Sequence, residues 1–457
     1  MNIVDITSTI NSYVWGWPMI VLLLGTHIYL TFRLRVPQRM MWTALKISVK
    51  KDKGSDGDVS QFAALATSLA ATIGTGNIIG VATAVSLGGP GAVLWCWLTG
   101  VFGIATKYSE GLLAIKYRVK TSDGKMLGGP MYALERGLGM KWLAVVFCVF
   151  TAIAAFGIGN TVQANAISEN VSLIAADWLD PTTSRIATGT VIALLVGAVI
   201  IGGVKSIGRI CTALVPFMAA AYVAGCVYIL FMNGSYLYDA VRLIVHEAFS
   251  LRAPIGGAAG TAIMMGARYG IARGLFSNES GMGSAPIVAA AAQTRNPVRQ
   301  ALVSSSGTFW DTVVICALTG LVIVTSIIAY PDIDISHGGL LTKEAFGMIP
   351  YVGTPILTFG ILTFAFSTIL GWSYYGERAI EYLAGKRSIR WYRIVWIVLC
   401  FVGSVMSLDV VWNIADIMNA FMAIPNLVSL LLLSGVIAAE TRHYLWNQNL
   451  DADMPEE

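Results

Sequence analysis

Apolar stretches about as long as a membrane-crossing helix recur along the whole chain, each cut off by polar residues, prolines or charges. They fall near residues 14–32, 61–86, 91–117, 142–168, 186–203, 212–232, 257–289, 302–328, 352–376, 394–408 and 413–438. A helix needs about 20 mostly apolar residues to cross the hydrocarbon core. The pattern therefore predicts an all-α polytopic membrane protein of about eleven spans. Two stretches break the rule. Residues 72–80 read TIGTGNIIG between FAALATSLAA and VATAV, and residues 274–286 read GLFSNESGMGSAP. Both spend the middle of an apolar segment on glycine, hydroxyl and amide residues.

Composition agrees with the pattern. Of 457 residues, 56% are hydrophobic and only 12% charged, with mean hydropathy +0.69. A soluble domain carries about a quarter charged residues, so a soluble enzyme is excluded. The opening MNIVDITSTINSYVWGWP lacks a basic stretch ahead of its apolar run, which is therefore expected to be retained as a span and not cleaved as a signal. The six cysteines form no CxxC pair and the four histidines are scattered, so neither a metal centre nor a disulfide frame is predicted.

Lys and Arg set the orientation. If eleven spans alternate, 24 of the 30 fall on one side, including the seven of residues 33–53 and seven between 105 and 142. The other side has four: Arg185, Arg242, Arg252 and Lys343. The split predicts an inner-membrane protein with its N-terminus outside and C-terminus cytoplasmic. Arg268 and Arg273 lie within the seventh segment, where they are candidate partners for Glu279. Glu110 and Glu377 are expected at the basic, cytoplasmic ends.

After the first span ten remain, five plus five. An odd number per unit inverts the second unit relative to the first, the inverted-repeat plan of many secondary transporters. The expected organisation is an extra helix and basic segment (1–60), a first repeat (61–232), an external connection (233–256), a second repeat (257–438) and a cytoplasmic tail (439–457). The two disturbed stretches then open the two repeats at corresponding places. In a bilayer a helix unwinds only where it faces protein or water, and glycine makes this easy. The freed N–H end attracts a carboxylate and the freed C=O end a cation. A zwitterionic amino acid or Na⁺ suits such a break. Gly74, Thr75, Gly76 and Asn77 are read as unwound backbone and an amide at a ligand, although GNIIG is also a GxxxG packing sequence. Asn160 and Gln163 in the fourth span, Ser367, Thr368 and Trp372 in the ninth, and Asp311 in the eighth are further intramembrane polar candidates.

With these stretches in view the chain resembles the alanine/glycine:cation symporter (sodium:alanine symporter) family. The carriers are GTGNIIGVATAVSLGGPGAVLW, GGPMYALERGLG, NTVQANAIS, GGVKSIGRICTALVPFMAAAY and RGLFSNESGMGSAPIVAAAAQTRNPVRQALV, so the likeness covers nearly the whole length. Ser280 stands where the family pattern has Ala. The resemblance implies the five-plus-five fold typified by the bacterial leucine transporter, and Na⁺-coupled or H⁺-coupled import of alanine or glycine. It places Gly74, Thr75, Gly76, Asn77, Gln163, Phe276, Ser277 and Asn278 at the substrate, with Trp372 capping the pocket. At fold level it places Ala70, Ile73, Ser367 and Thr368 at a sodium ion.

The expected function is thus symport of a small neutral amino acid with Na⁺ as coupling ion, without covalent chemistry. The expected partners are that substrate and the lipid bilayer, with no nucleic acid. A channel would need a filter of repeated carbonyls or charged rings, and no such sequence appears. An intramembrane enzyme would need paired acids or a nucleophile constellation, and Asp311 and Glu279 lack that spacing.

Overall fold

The computed structural model describes residues 3–50, 52, 56–250, 261–336, 338–406 and 409–454. The start of the expected seventh span and the end of the tenth lie outside them. The chain begins with α1 (Ile3–Val14), α2 (Trp17–Arg33) and the short α3 (Met41–Ser48). Next come α4 (Gln61–Thr72), α5 (Val81–Gly88), α6 (Ala92–Lys116), α7 (Lys141–Phe156), α8 (Val162–Ile174), α9 (Pro181–Ile200) and α10 (Gly203–Met232). After α11 (Leu237–Phe249) follow α12 (Thr261–Asn278), α13 (Ala285–Ala289), α14 (Pro297–Thr308) and α15 (Ala317–Ala329). Then come α16 (Gly353–Ala384), α17 (Ser388–Val405), α18 (Asp409–Leu432) and α19 (Ser434–Thr441).

Local chemistry sets these boundaries. Ser60 caps α4 by accepting the Ala63 N–H at 3.1 Å. Asp180 and Asn296 cap α9 and α14, each followed by a proline at the first helical position, where its missing N–H costs nothing. At α7–α8 and α14–α15 the helix runs on through a π-turn, Gly157–Thr161 and Phe309–Cys316 respectively.

Among the described residues, eight helices are long and apolar enough to cross a membrane, and the bent pair α4–α5 makes a ninth. The places of the expected spans 91–117 and 257–289 are filled by α6 and by α12–α13, which fail that measure of apolarity. The reason is their position. Every residue of α6 from Gly103 to Ile115 is buried, and α6 packs against α12 and α14. A helix sheathed in protein need not be apolar for the lipid's sake. This corrects one reading of the charges. Lys107 is not a loop residue of the basic side but is buried inside the bundle.

At the end of the bundle carrying the basic connections, contacts between elements form a partial seal beside a polar cavity of about 430 Å³ lined by Asp58, Lys205 and Glu377 among others. Val59 pairs with Ala292 in an isolated β-bridge, and Gln61 Nε2 donates to Thr294 Oγ1 at 3.1 Å. Arg118 Nη1 donates to the carbonyls of Ala290 and Ala292, at 3.3 and 2.9 Å. Arg299 reaches both oxygens of Asp52, at 2.9 and 2.8 Å, and also pairs with Asp451 of the tail. Asn296 Nδ2 holds the tail further through the carbonyls of Leu450 and Ala452, at 2.9 and 2.8 Å. Glu377 pairs with Arg378 and Arg393 at this same end, as its sequence position led us to expect.

Removing one partner of a buried ion pair costs about 3–5 kcal/mol. Arg299→Met is therefore expected to lower the thermal midpoint of the detergent-solubilised protein by several degrees. An unchanged midpoint would show that the Asp52–Arg299–Asp451 junction adds nothing to stability.

Candidate functional site

The two disturbed stretches are both broken, and the breaks meet. In the first, α4 ends at Thr72, Ile73 turns extended (ψ 92°), and the chain resumes through the π-turn Gly76–Gly80 into α5. The two halves are bent by 51°. In the second, α12 ends at Asn278 and residues 279–284 are non-helical before α13. Gly281 and Gly283 hold φ of +88° and +85°, the left-handed region that glycine reaches at little cost. Glu279, a non-glycine, is also left-handed at φ +52°, a strained state that persists only when its surroundings enforce it.

Side chains satisfy the loose ends. Asn77 Oδ1 accepts the Gly74 N–H at 2.9 Å, capping the first break from within. Asn278 Oδ1 accepts the Ser280 N–H at 2.9 Å. Glu110 Oε1 accepts the N–H groups of Gly281 and Gly283, at 3.1 and 3.0 Å, together with Asn426 Nδ2 at 2.7 Å. Glu279 is held by Trp372 Nε1 at 3.0 Å and by Ser284 Oγ at 2.5 Å.

Two sequence expectations are corrected here. Glu110 does not sit at the basic end but braces the second break. The partners of Glu279 are Trp372 and Ser284, not Arg268 or Arg273. Lys107, whose Nζ has no hydrogen-bond partner among the described residues, is buried in the same helix as Glu110. An uncompensated carboxylate pair at this depth would be prohibitive.

Asp311 and Cys316 join the breaks, the Cys316 Sγ lying 3.3 Å from Asn77 Nδ2 and 3.2 Å from Ser277 Oγ. Asp311, in the π-turn Phe309–Cys316, accepts Asn77 Nδ2 on Oδ1 at 2.8 Å and Ser277 Oγ on Oδ2 at 3.0 Å. Thr312 Oγ1 also donates to Oδ2, at 2.6 Å. Asn77 belongs to the first break and Ser277 to the last turn before the second, so a single buried carboxylate ties both. The sequence reading noted Asp311 but gave it no role. A lone acid inside an apolar span is a functional candidate by default, and that signal was present.

Around this tie the expected residues assemble. Gln163 Nε2 donates to the Ile158 carbonyl at 3.0 Å, whereas its Oε1 is buried without a partner among the described residues. A Cβ on Gly74 would stand 3.7 Å from that oxygen and 2.7 Å from Thr368 Oγ1. Thr75 Oγ1 is likewise buried and unpartnered. The Phe276 ring lies against Gly76, 3.3 Å from where a Cβ would be. Ser367 Oγ and Thr368 Oγ1 each donate to the Ala70 carbonyl at 3.1 Å, beside the extended Ile73.

Asn160 Nδ2 donates to the Trp396 carbonyl at 2.8 Å. Trp372 packs on Gly159, whose Cβ would fall 2.2 Å from the Trp372 Cβ, so it reaches the site through Glu279.

A cavity of about 180 Å³ opens on the first break, lined by Thr75, Gly76, Arg273, Phe276 and Trp412 among others. Next to it another, of about 190 Å³, shares Arg273 and Phe276 and extends to Asn11, Arg268 and Asp416. Both lie toward the end opposite the seal.

Such a bundle, with two interrupted helices facing a buried polar pocket, is a transporter architecture. The crystal structure of MhsT in complex with L-phenylalanine has the same fold, with TM-score 0.62 at 16% identity over 86% of this chain and 95% of that one. The fold is therefore that of the leucine-transporter-like membrane transporters. Within that class the chain belongs to the sodium:alanine symporter family, whose model matches residues 1–456. It is 51% identical to the sodium/alanine symporter AgcS of Methanococcus maripaludis, over 97% of this chain and 98% of that protein. It is 36% identical to the probable sodium/glutamine symporter GlnT of Bacillus subtilis, over 95% of this chain and 89% of that protein.

Gly281→Ala forces a side chain into a left-handed position, costing about 1–2 kcal/mol. The new Cβ would also lie 2.9 Å from Leu23 Cδ2. The variant is expected to melt earlier than the parent, and an equal melting temperature would mean that the second break relaxes freely.

Proposed function

We propose that the protein is a secondary active transporter that imports a small neutral amino acid, alanine or glycine, together with Na⁺ by alternating access. The observation that carries this reading is the pair of buried, unpartnered oxygens, Gln163 Oε1 and Thr75 Oγ1, beside unwound backbone at the first break. Buried acceptors without partners are costly, and a ligand ammonium would satisfy them. The substrate carboxylate takes the leading amides of the outer half-helix at Thr75 and Gly76, where the helix dipole favours an anion. Phe276 against Gly76 leaves little room beyond a hydrogen or a methyl group. The name of GlnT keeps a larger amide substrate as the alternative, which competition among neutral amino acids distinguishes.

For Na⁺ the fit is chemical. The Ala70 carbonyl and the hydroxyls of Ser367 and Thr368 meet within hydrogen-bond distance, neutral oxygens of the kind a hard monovalent cation prefers. Ile73 supplies a further carbonyl off the helix axis. Asp311, with Asn77 and Ser277, offers a second place for a cation, closer to the substrate carboxylate. H⁺ in place of Na⁺ is the alternative coupling.

The halves 61–232 and 257–438 are read as inverted repeats, with the basic loops cytoplasmic. The partly sealed end is then the cytoplasmic one and the cavities at the first break lead outside, and the conformation is read as outward-facing. Import requires the Val59–Ala292 and Arg299 junctions to part while the outer cavities close.

Proteoliposomes with an inward Na⁺ gradient are expected to accumulate labelled alanine, and gradient-independent flux would refute symport. Asn77→Ala removes the Gly74 cap and the Asp311 contact, and should abolish this uptake while the protein still elutes as a folded species. Gly74→Ala should displace the Thr368 hydroxyl and raise the Na⁺ concentration for half-maximal uptake by about tenfold or more, an effect of roughly 1.4 kcal/mol. A Na⁺ dependence equal to that of the parent would separate Thr368 from the cation.

A further inference from the structure

An apolar groove lies outside the substrate path. It measures about 410 Å³ and runs between α3, α4, α10 and the Phe309–Cys316 turn, with walls including Leu45, Phe62, Leu69, Ala220 and Trp310. We propose that this groove binds the acyl chain of an anionic phospholipid whose headgroup is held by the lysines of the α3 segment.

Three observations select that occupant. First, α4, α10 and the α14–α15 span are membrane helices, and the rim residues Val49 and Trp310 are 70% and 41% exposed. The groove therefore opens sideways into hydrocarbon, where an apolar chain is the available filling. Its depth comes from α10. Pro216 interrupts the hydrogen bonding of that helix, and small residues at Ala219 and Ala220 follow it along the groove wall.

Second, α3 has the form of an interfacial helix. Ala44, Ile47 and Ser48 are buried, while Trp42 is 68% exposed and carries Lys46 Nζ 5.4 Å from its ring centre. Trp and Lys paired in this way mark the headgroup level.

Third, the connection that holds α3 is basic. Arg33, Arg35, Arg39, Lys46 and Lys50 all belong to it, and a juxtamembrane basic run attracts anionic headgroups. A neutral lipid would fill the groove but leave this charge unused.

The position gives the lipid a consequence. The groove ends on Ile73 and Ile315. Ile73 is the extended residue of the first break, and Ile315 belongs to the turn that presents Asp311. An acyl chain there packs directly against the backbone of the site and steadies α4. Its occupancy sets how readily α4 moves relative to α5, a consequence that rests on the transport reading. The binding itself does not.

The test separates the two. Delipidated full-length protein is given phosphatidylglycerol or phosphatidylcholine, and retained lipid is read by native mass spectrometry. One phosphatidylglycerol per chain is expected, in preference to phosphatidylcholine. The exposed pair Lys46→Glu and Lys50→Glu should weaken its retention about tenfold or more, from two headgroup contacts. Ala220→Trp should abolish it by filling the groove. In vesicles, phosphatidylglycerol should raise Na⁺-driven uptake by the parent and not by the lysine variant. Equal retention of the two lipids, or retention unchanged in both variants, overturns the proposal. Selective retention in a protein that shows no Na⁺-driven uptake leaves the lipid site standing and removes the symport reading.

Discussion

An amide that cannot reach water must find a partner in the protein, and every unusual feature of this chain answers to that constraint. Two helices are interrupted inside the bundle. Each interruption strips hydrogen bonds from backbone groups, and each is tolerated because a named side chain replaces them: Asn77 at Gly74, Asn278 at Ser280, and Glu110 at Gly281 and Gly283. Asp311 then holds the two repaired ends together through Asn77 and Ser277. Beside the first break two buried oxygens, Gln163 Oε1 and Thr75 Oγ1, are left without partners among the described residues.

Under the proposed function, coupling follows from shared walls. The Thr368 hydroxyl donates to the Ala70 carbonyl and also stands against Gly74, so the cation and substrate positions are separated by one side chain. A cation that fixes Thr368 and Ile73 also fixes the backbone on which the substrate carboxylate sits. Reciprocity then requires the substrate to tighten cation binding by the same factor. Thermodynamically no long pathway is needed over so short a distance.

The price of the arrangement is paid in buried charge and strain at the second break. Glu279 is left-handed, and Glu279, Glu110 and Lys107 are all buried. A buried charge is tolerated only when paired and hydrogen-bonded. Glu110 is held by three donors and Glu279 by two. Such a network fixes one arrangement firmly. That is the property needed of a scaffold against which the rest of the bundle moves.

Much was legible in the sequence because it depends on local chemistry. Apolar runs with few charges specify membrane helices. Gly, Asn and Ser clusters mark where those helices give way, since glycine eases the backbone at Gly281 and Gly283 and amide side chains replace lost hydrogen bonds. The motifs around Gly74–Asn77 and Phe276–Asn278 coincide with the two breaks. What could not be read was which distant polar groups would meet. Lys107 and Glu110 looked like residues of a basic helix end, and only the packing of α6 between α12 and α14 buries them at the second break. Asp311 looked like a stray acid, and only tertiary structure brings it within 3.0 Å of residues 34 and 234 positions away in the chain. The sequence by itself determined the helices and their weak points, because hydrophobicity and backbone strain act residue by residue. The tertiary structure alone decided the partners, because a buried hydrogen bond depends on what the fold places opposite it.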